Sequence, residues 1–438
     1  MEVFFARFSH LTEAIFEQLD AVNLVKCREV SWDWQEYLVD KRFLQIRVIR
    51  SLIGNVGQPW ERFFKASNTD TIKQLRDAVE RLYANDWPGL KCDGPKKPLQ
   101  LDESLTPLHV AATHQGRLAV YKYILDITSD KNPTSGDGST PLHWAALSGH
   151  WNICNLILNG TENKNPTNND NNTPLHVAAR LGHTNVCKLI VENTNHVSPS
   201  GRIGYTPLHW AAQNGHLITV KYILEKSEET NPRDNVGDSP LHCAARSGRF
   251  DVCKYMMETI EEKSPINDNG ESPFHVAAEW GHLKLCKYMM ASTVYQTPQN
   301  NQNVTTPFHF AVLFGHLDLC KLFMENLDDK FPKNENGKTP LHMAAQRGFL
   351  DICKYIMEKS DEKSPVDDDG DTPLHFAVLN RHFDVCVYII LKNINDINLR
   401  NNNGHAPLDP AFSSFGQYFH MPHLGQQMAF MRFFSHYL

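Results

Sequence analysis

The stretch NENGKTPLHMAAQRGFLDICKYIMEKSDEKSPV, residues 334 to 366, carries the information that decides the fold. Asn334 to Lys338 has turn chemistry, with Gly337 free to take positive φ. Thr339 is an N-cap side chain, and Pro340 suits the first helical position, where its missing N–H costs nothing. Leu341, Ala344 and Ala345 form the apolar face of a short helix that stops at Gly348, a left-handed terminator. Leu350, Ile352, Cys353, Ile356 and Met357 recur at helical spacing and predict a second, antiparallel helix. Isolated chains below about 40 residues usually need a staple or a partner to bury a core. A unit of this size is therefore stable only when stacked on others like it.

Such others are present throughout. TPLHVAA at Thr106 returns as TPLHWAA at Thr140, TPLHVAA at Thr173, TPLHWAA at Thr206, SPLHCAA at Ser239, SPFHVAA at Ser272, TPFHFAV at Thr306, TPLHMAA at Thr339 and TPLHFAV at Thr372. The histidines, His109, His143, His176, His209, His242, His275, His309, His342 and His375, are 33 or 34 residues apart. A degenerate tenth copy, APLDPA, begins at Ala406. Prolines from Pro133 to Pro365 recur at the same period just after each second helix, where they stop the helix and stiffen the loop. In period and motif the chain resembles the ankyrin-repeat family over residues 101–411. The resemblance implies an all-α repeat solenoid, a helix-turn-helix stack carrying β-hairpin fingers.

The bulk properties narrow the function. A formal charge of -7 over 438 residues, with no block of Lys or Arg, lacks the attraction that nucleic-acid binding requires. The opening MEVFFARFSHLTEAIFEQLD has neither the pattern of a signal peptide nor the roughly 20 apolar residues that span a bilayer. The reading is a protein of the cytoplasm or nucleus with no membrane partner and reduced cysteines.

Two periodic arrays look like chemistry. Seven cysteines, Cys154, Cys187, Cys253, Cys286, Cys320, Cys353 and Cys386, accompany the nine histidines. Equivalent residues of stacked units point in parallel about 8–10 Å apart. Zinc bonds of about 2.0 Å cannot bridge that gap, and a disulfide needs Cα atoms within about 7 Å. Each histidine is read as a hydrogen-bonding tie from its loop to the next unit, and each cysteine as a small, inert apolar residue. No phosphate-binding loop, Ser/His/Asp set or paired carboxylates emerge, so neither a cofactor nor catalysis is expected.

The resemblance also implies where a partner binds, on the finger tips and the exposed face of each first helix. The tip residue varies from unit to unit: Leu105, Ser139, Asn172, Tyr205, Asp238, Glu271, Thr305, Lys338, Asp371. Ahead of the helix-ending glycine stand Arg180, Arg246, Trp280, Phe314 and Arg347 among others. Trp280 and Phe314 are the sharpest candidates, since the frame does not require large aromatics there. Trp144, Trp210, Phe310 and Phe376, directly after the repeat histidine, serve either packing or partner contact. The tips NDNGE at 267 and DDDGD at 367 are acidic and favour a partner with basic character. In the seventh unit Val304 replaces the usual finger glycine and predicts a distorted finger.

Residues 1–50 do not share the repeat. Asp20 is an N-cap between IFEQL and the run from Val22 to Val30, and Trp34, Leu38, Phe43 and Ile46 continue an apolar period. The spacing of Ile15, Phe16, Leu19, Leu24, Val30 and Trp34 resembles that of an F-box, the small helical motif that docks substrate receptors on the Skp adaptor of cullin-RING ubiquitin ligases. Arg7-Phe8 stands where that family has Leu-Pro. The alternative is a plain helical cap whose same residues form an internal core. Residues 51–100 read as a helical linker with one or two helices in WERFFKASNTDTIKQLRDAVERLYAND and a turn-rich boundary at 88–98. Residues 412–438 are too aromatic for a free tail and read as a cap of the stack or as an interaction peptide. The expected function is a receptor that captures a target protein on the array and delivers it to the ligase; the competing class is a scaffold or inhibitor that only binds.

Overall fold

A computed structural model describes residues 58–67, 69–83, 105–113, 118–292, 305–327, 329–360 and 364–409. The F-box-like residues, Val304 and the segment 412–438 lie outside these. The described residues form twenty helices and a short 3-10 helix at Ile394–Asn398. They fall into two compact units, the first running to Ala211 and including His216–Glu229, the second made of Ala212–Gly215 and the residues from Thr230 on.

Each repeat is a helix pair, as Pro340–Arg347 and Leu350–Lys359 illustrate. Thr339 is extended (φ -88, ψ 166) and its N–H donates to His342 Nδ1 three residues on, a capping box closed by an imidazole in place of the usual carboxylate. Gly348 ends the helix at φ 76. In the first unit the inner helix Pro107–Ala112 packs on Pro141–Leu147 and that on Pro174–Arg180, while the outer helices from Leu118–Ile127 to Leu217–Lys226 stack behind them. The second unit repeats this from Pro240–Arg246 to Pro373–Leu379. The motif leucine or phenylalanine, the alanine pair and the cysteine are all buried. Small alanines let inner helices approach closely, and the larger residue fills the space between pairs. Where Phe274 and Phe308 replace leucine, both rings meet Phe323, at 5.8 and 5.5 Å.

The β-hairpin expectation needs correcting among the described residues, where no strand occurs. The fingers are locked turns. Asn334 N–H donates to the Lys338 carbonyl (3.0 Å) and Gly337 N–H to the Asn334 carbonyl (2.9 Å). The Asn334 side-chain oxygen accepts from the N–H groups of Asn336 and Lys338. That side chain takes the donors a ladder would use. One finger then joins the next by a single backbone bond, as from Asp368 N–H to the Asn336 carbonyl (3.1 Å).

Where one or two helices were expected ahead of the array there are two, α1, Gln58–Ala66, and α2, Thr69–Tyr83. They do more than connect. Trp60, Phe63, Phe64, Ile72 and Leu75 are buried, with Trp60 Nε1 donating to the Leu105 carbonyl and Tyr123 donating from its hydroxyl to the Ala66 carbonyl (2.7 Å). α1 and α2 pack on both helices of the first repeat and cover the apolar face that a terminal unit would otherwise expose. At the other end, Asp409 takes the histidine position of the degenerate copy and accepts the Ala406 N–H (3.0 Å).

The terminating glycines have two reasons to be there. Gly348 has positive φ, and a Cβ on it would lie 2.4 Å from the His382 ring. Arg381 occupies the equivalent position of the ninth repeat at φ 63 without being glycine. Gly348→Ala should therefore destabilise by about 2 kcal/mol or more, and Arg381→Gly should stabilise by about 1 kcal/mol, in urea unfolding; equal effects of both would refute this account.

Candidate functional site

Every repeat histidine tested by its contacts is a tie. Nδ1 accepts the N–H of the capping Thr or Ser, at 2.9–3.1 Å from His109 to His375. Within each unit Nε2 lies on a carbonyl of the following finger, as in His143 to Asn172 (2.9 Å) in the first and His342 to Asp371 (3.0 Å) in the second. Only a neutral ring protonated on Nε2 satisfies both. Burial pushes His109, His143, His176, His242, His309 and His342 down to about 4. The eight described cysteines are buried free thiols. Burial raises Cys154, Cys187, Cys286, Cys320 and Cys386 to about 12 and Cys253 and Cys353 further still. Among the described residues no three potential ligands gather to hold a metal, and no helix is long and apolar enough to cross a membrane.

A second row of ties was readable and was overlooked. Histidine follows the helix-terminating residue in most repeats, and its Nε2 donates backward: His183 to the Leu147 carbonyl (3.0 Å), His316 to that of Glu279 (2.7 Å), His382 to that of Gln346 (3.0 Å). Arg249 does the same through Nε, to Gln213 (2.9 Å). The signal was the Gly-His pair recurring at the repeat period, as at Gly182-His183 and Gly281-His282.

With the frame accounted for, the variable residues stand out. In the second unit Trp280 and Phe314 cap the inner helices of successive repeats and are 54% and 47% exposed. Arg347 is exposed as well. The Arg246 guanidinium bonds the buried Asp238 carboxylate, which also accepts from Asn267 (2.9 Å). Burial, with Glu271 close by, raises the carboxyl of Glu279 beside Trp280. Phe376 is buried with Lys338 Nζ 4.4 Å from its ring centroid, so it serves packing.

In the first unit Trp210 is half-buried, edge-on to Tyr205 at 5.1 Å and overlain by the Arg180 guanidinium at 5.6 Å. Tyr205 stacks on His209 at 5.2 Å, and its carbonyl accepts from His176 (3.1 Å). Trp144 and Trp210 line one pocket of about 260 Å³ together with Val177, Arg180, Asp137 and Asp170. Sequence reading singled out the indoles but not the pocket, which Val177 opens by being small between them.

The family model described as Ankyrin repeats (3 copies) matches overlapping segments 68–168, 108–199, 152–234, 197–263, 227–301, 258–330 and 308–403. No curated protein gives a significant match to the chain.

The neutral histidines fix the acid response. Unfolded, the six that burial depresses, His109, His143, His176, His242, His309 and His342, titrate near 6.5, and folded, near 4. Between those values the unfolded chain binds more protons, so stability is full above pH 6.5 and falls as pH drops toward 4. Each pH unit of depression is worth about 1.4 kcal/mol per group. The urea midpoint should therefore drop steeply between these limits; an unchanged midpoint would mean the rings are already charged in the folded state.

Proposed function

Because the chain belongs to the ankyrin-repeat family, we propose that it is a non-catalytic receptor that holds a target protein on the array and docks on the Skp adaptor of a cullin-RING ligase through its opening segment. Ankyrin repeats indicate a protein-interaction scaffold. The observation that carries target capture is the exposure of Trp280 and Phe314 on a frame whose other large side chains are mostly buried. Wet aromatics of this kind are the usual anchors of an interface. Arg246 and Arg347 occupy the same set of variable positions in the second unit, and Tyr205 and Trp210 are the corresponding candidates of the first.

Support for docking is narrower. It comes from the spacing of Ile15, Phe16, Leu19, Leu24, Val30 and Trp34, and from the first repeat already having a cap in α1 and α2. With that cap in place, residues 15–34 have no need to serve as one. Marking of the target would then follow from proximity, the chemistry belonging to other subunits.

Purified chain mixed with the Skp adaptor should form a complex that Leu24→Asp plus Trp34→Ala abolishes with helicity intact. No association, or association indifferent to those changes, would leave only a scaffold. Expression should lower the target in a proteasome-dependent way if the receptor reading holds, and should not if the protein merely binds. Trp280→Ala with Phe314→Ala should weaken target binding about tenfold or more while melting stays cooperative; unaltered affinity would place the contact elsewhere.

A further inference from the structure

The pocket of the first unit exists because of one break in a side-chain series. The residue after the repeat histidine is Trp144 in the second repeat, Val177 in the third and Trp210 in the fourth. All three line the pocket, which is a slot with indoles at both sides and a small floor. Its two ends differ in charge. At the finger end stand Asp137 and Asp170. Burial opposes ionisation of Asp137, yet hydrogen bonds from Ser135 and Ser139 hold its carboxyl below the usual range. Asp170 is largely in solvent and only loosely matched by Arg202 at 3.8 Å. At the helix end lies Arg180, over Trp210.

We infer that this slot receives an arginine or lysine side chain of the bound partner protein, with its apolar stem between Trp144 and Trp210 over Val177 and its charge on the carboxylates of Asp137 and Asp170. The inference rests on the array being a protein-binding surface. Long cationic side chains bury their stems while keeping the head at a polar site, and the indole face attracts a cation. Arg180 closes the other end to positive charge and so fixes the direction of entry. An acidic side chain entering from the fingers would meet two like charges, and a neutral apolar one would take water from the carboxylates without replacing it.

The test uses the full chain and labelled synthetic peptides with random flanks around a fixed central Arg, Lys, Leu, Phe or Glu, read by fluorescence polarisation. The Arg and Lys pools should bind tightest and weaken as salt rises. Val177→Trp gives the third repeat the residue its neighbours carry, and Asp170→Lys reverses an exposed charge. Each should reduce binding of the Arg pool about tenfold or more with the melting temperature close to that of the unaltered chain. Binding of the Leu, Phe or Glu pool as tight as that of the Arg pool overturns the inference, as does Arg-pool binding indifferent to both variants; either leaves the array a protein binder. Absence of binding by every pool also overturns it. The broader reading falls by a different result, a target affinity that no change on the array alters.

Discussion

The array depends on a neutral imidazole that works at both its nitrogens. Nδ1 closes the cap of its own helix, and the proton on Nε2 reaches a carbonyl of the following finger. A helix of seven or eight residues is too short to persist alone, so its stability has to come from packing and from such ties. Glutamate, the usual capping-box residue, could close the cap but would have no proton for the neighbour. Asp409 shows the converse: in the degenerate copy an acceptor-only side chain keeps the inward bond, from Ala406 N–H, and gives up the forward one.

The outer histidines complete the arrangement by bonding in the opposite sense. Inner rings reach forward in sequence and outer rings reach back. Within each unit most junctions between repeats are thus fastened near the fingers and again near the helix ends. The terminating glycines are part of the second fastening, because the incoming ring occupies the space a Cβ would need. The requirement for glycine is then partly steric and partly conformational, and Arg381 shows that positive φ by itself is open to another residue.

Much of this was legible in the sequence because it is local. The cap at Thr339-Pro340, the stop at Gly348 and the apolar spacing of Ile352, Cys353, Ile356 and Met357 are set within a few residues of one another. The finger conformation was misread because family likeness suggested a ladder, whereas Asn334 bonds its own backbone and makes a turn. At the candidate surface Trp280 and Phe314 were found as departures from the frame. The bond Arg246 makes was not legible, since its partner Asp238 lies eight residues earlier and only the packed repeat buries that carboxylate beside it. The slot over Val177 was missed for a related reason. A cavity belongs to three repeats at once, and no one of them spells it.

Opposed bonds at most junctions within a unit have a consequence for how such a chain can change. Most internal repeats present the same donors and acceptors to both sides, so within either unit one of these could be inserted or removed as a whole and the cut faces would still match. Reading length is then free to vary in steps of one repeat, while the two ends are fixed by residues that no internal unit carries: Trp60 and Phe63 at one, Asp409 at the other. Heredity can lengthen or shorten the surface without redesigning it, provided the breakpoints fall in register.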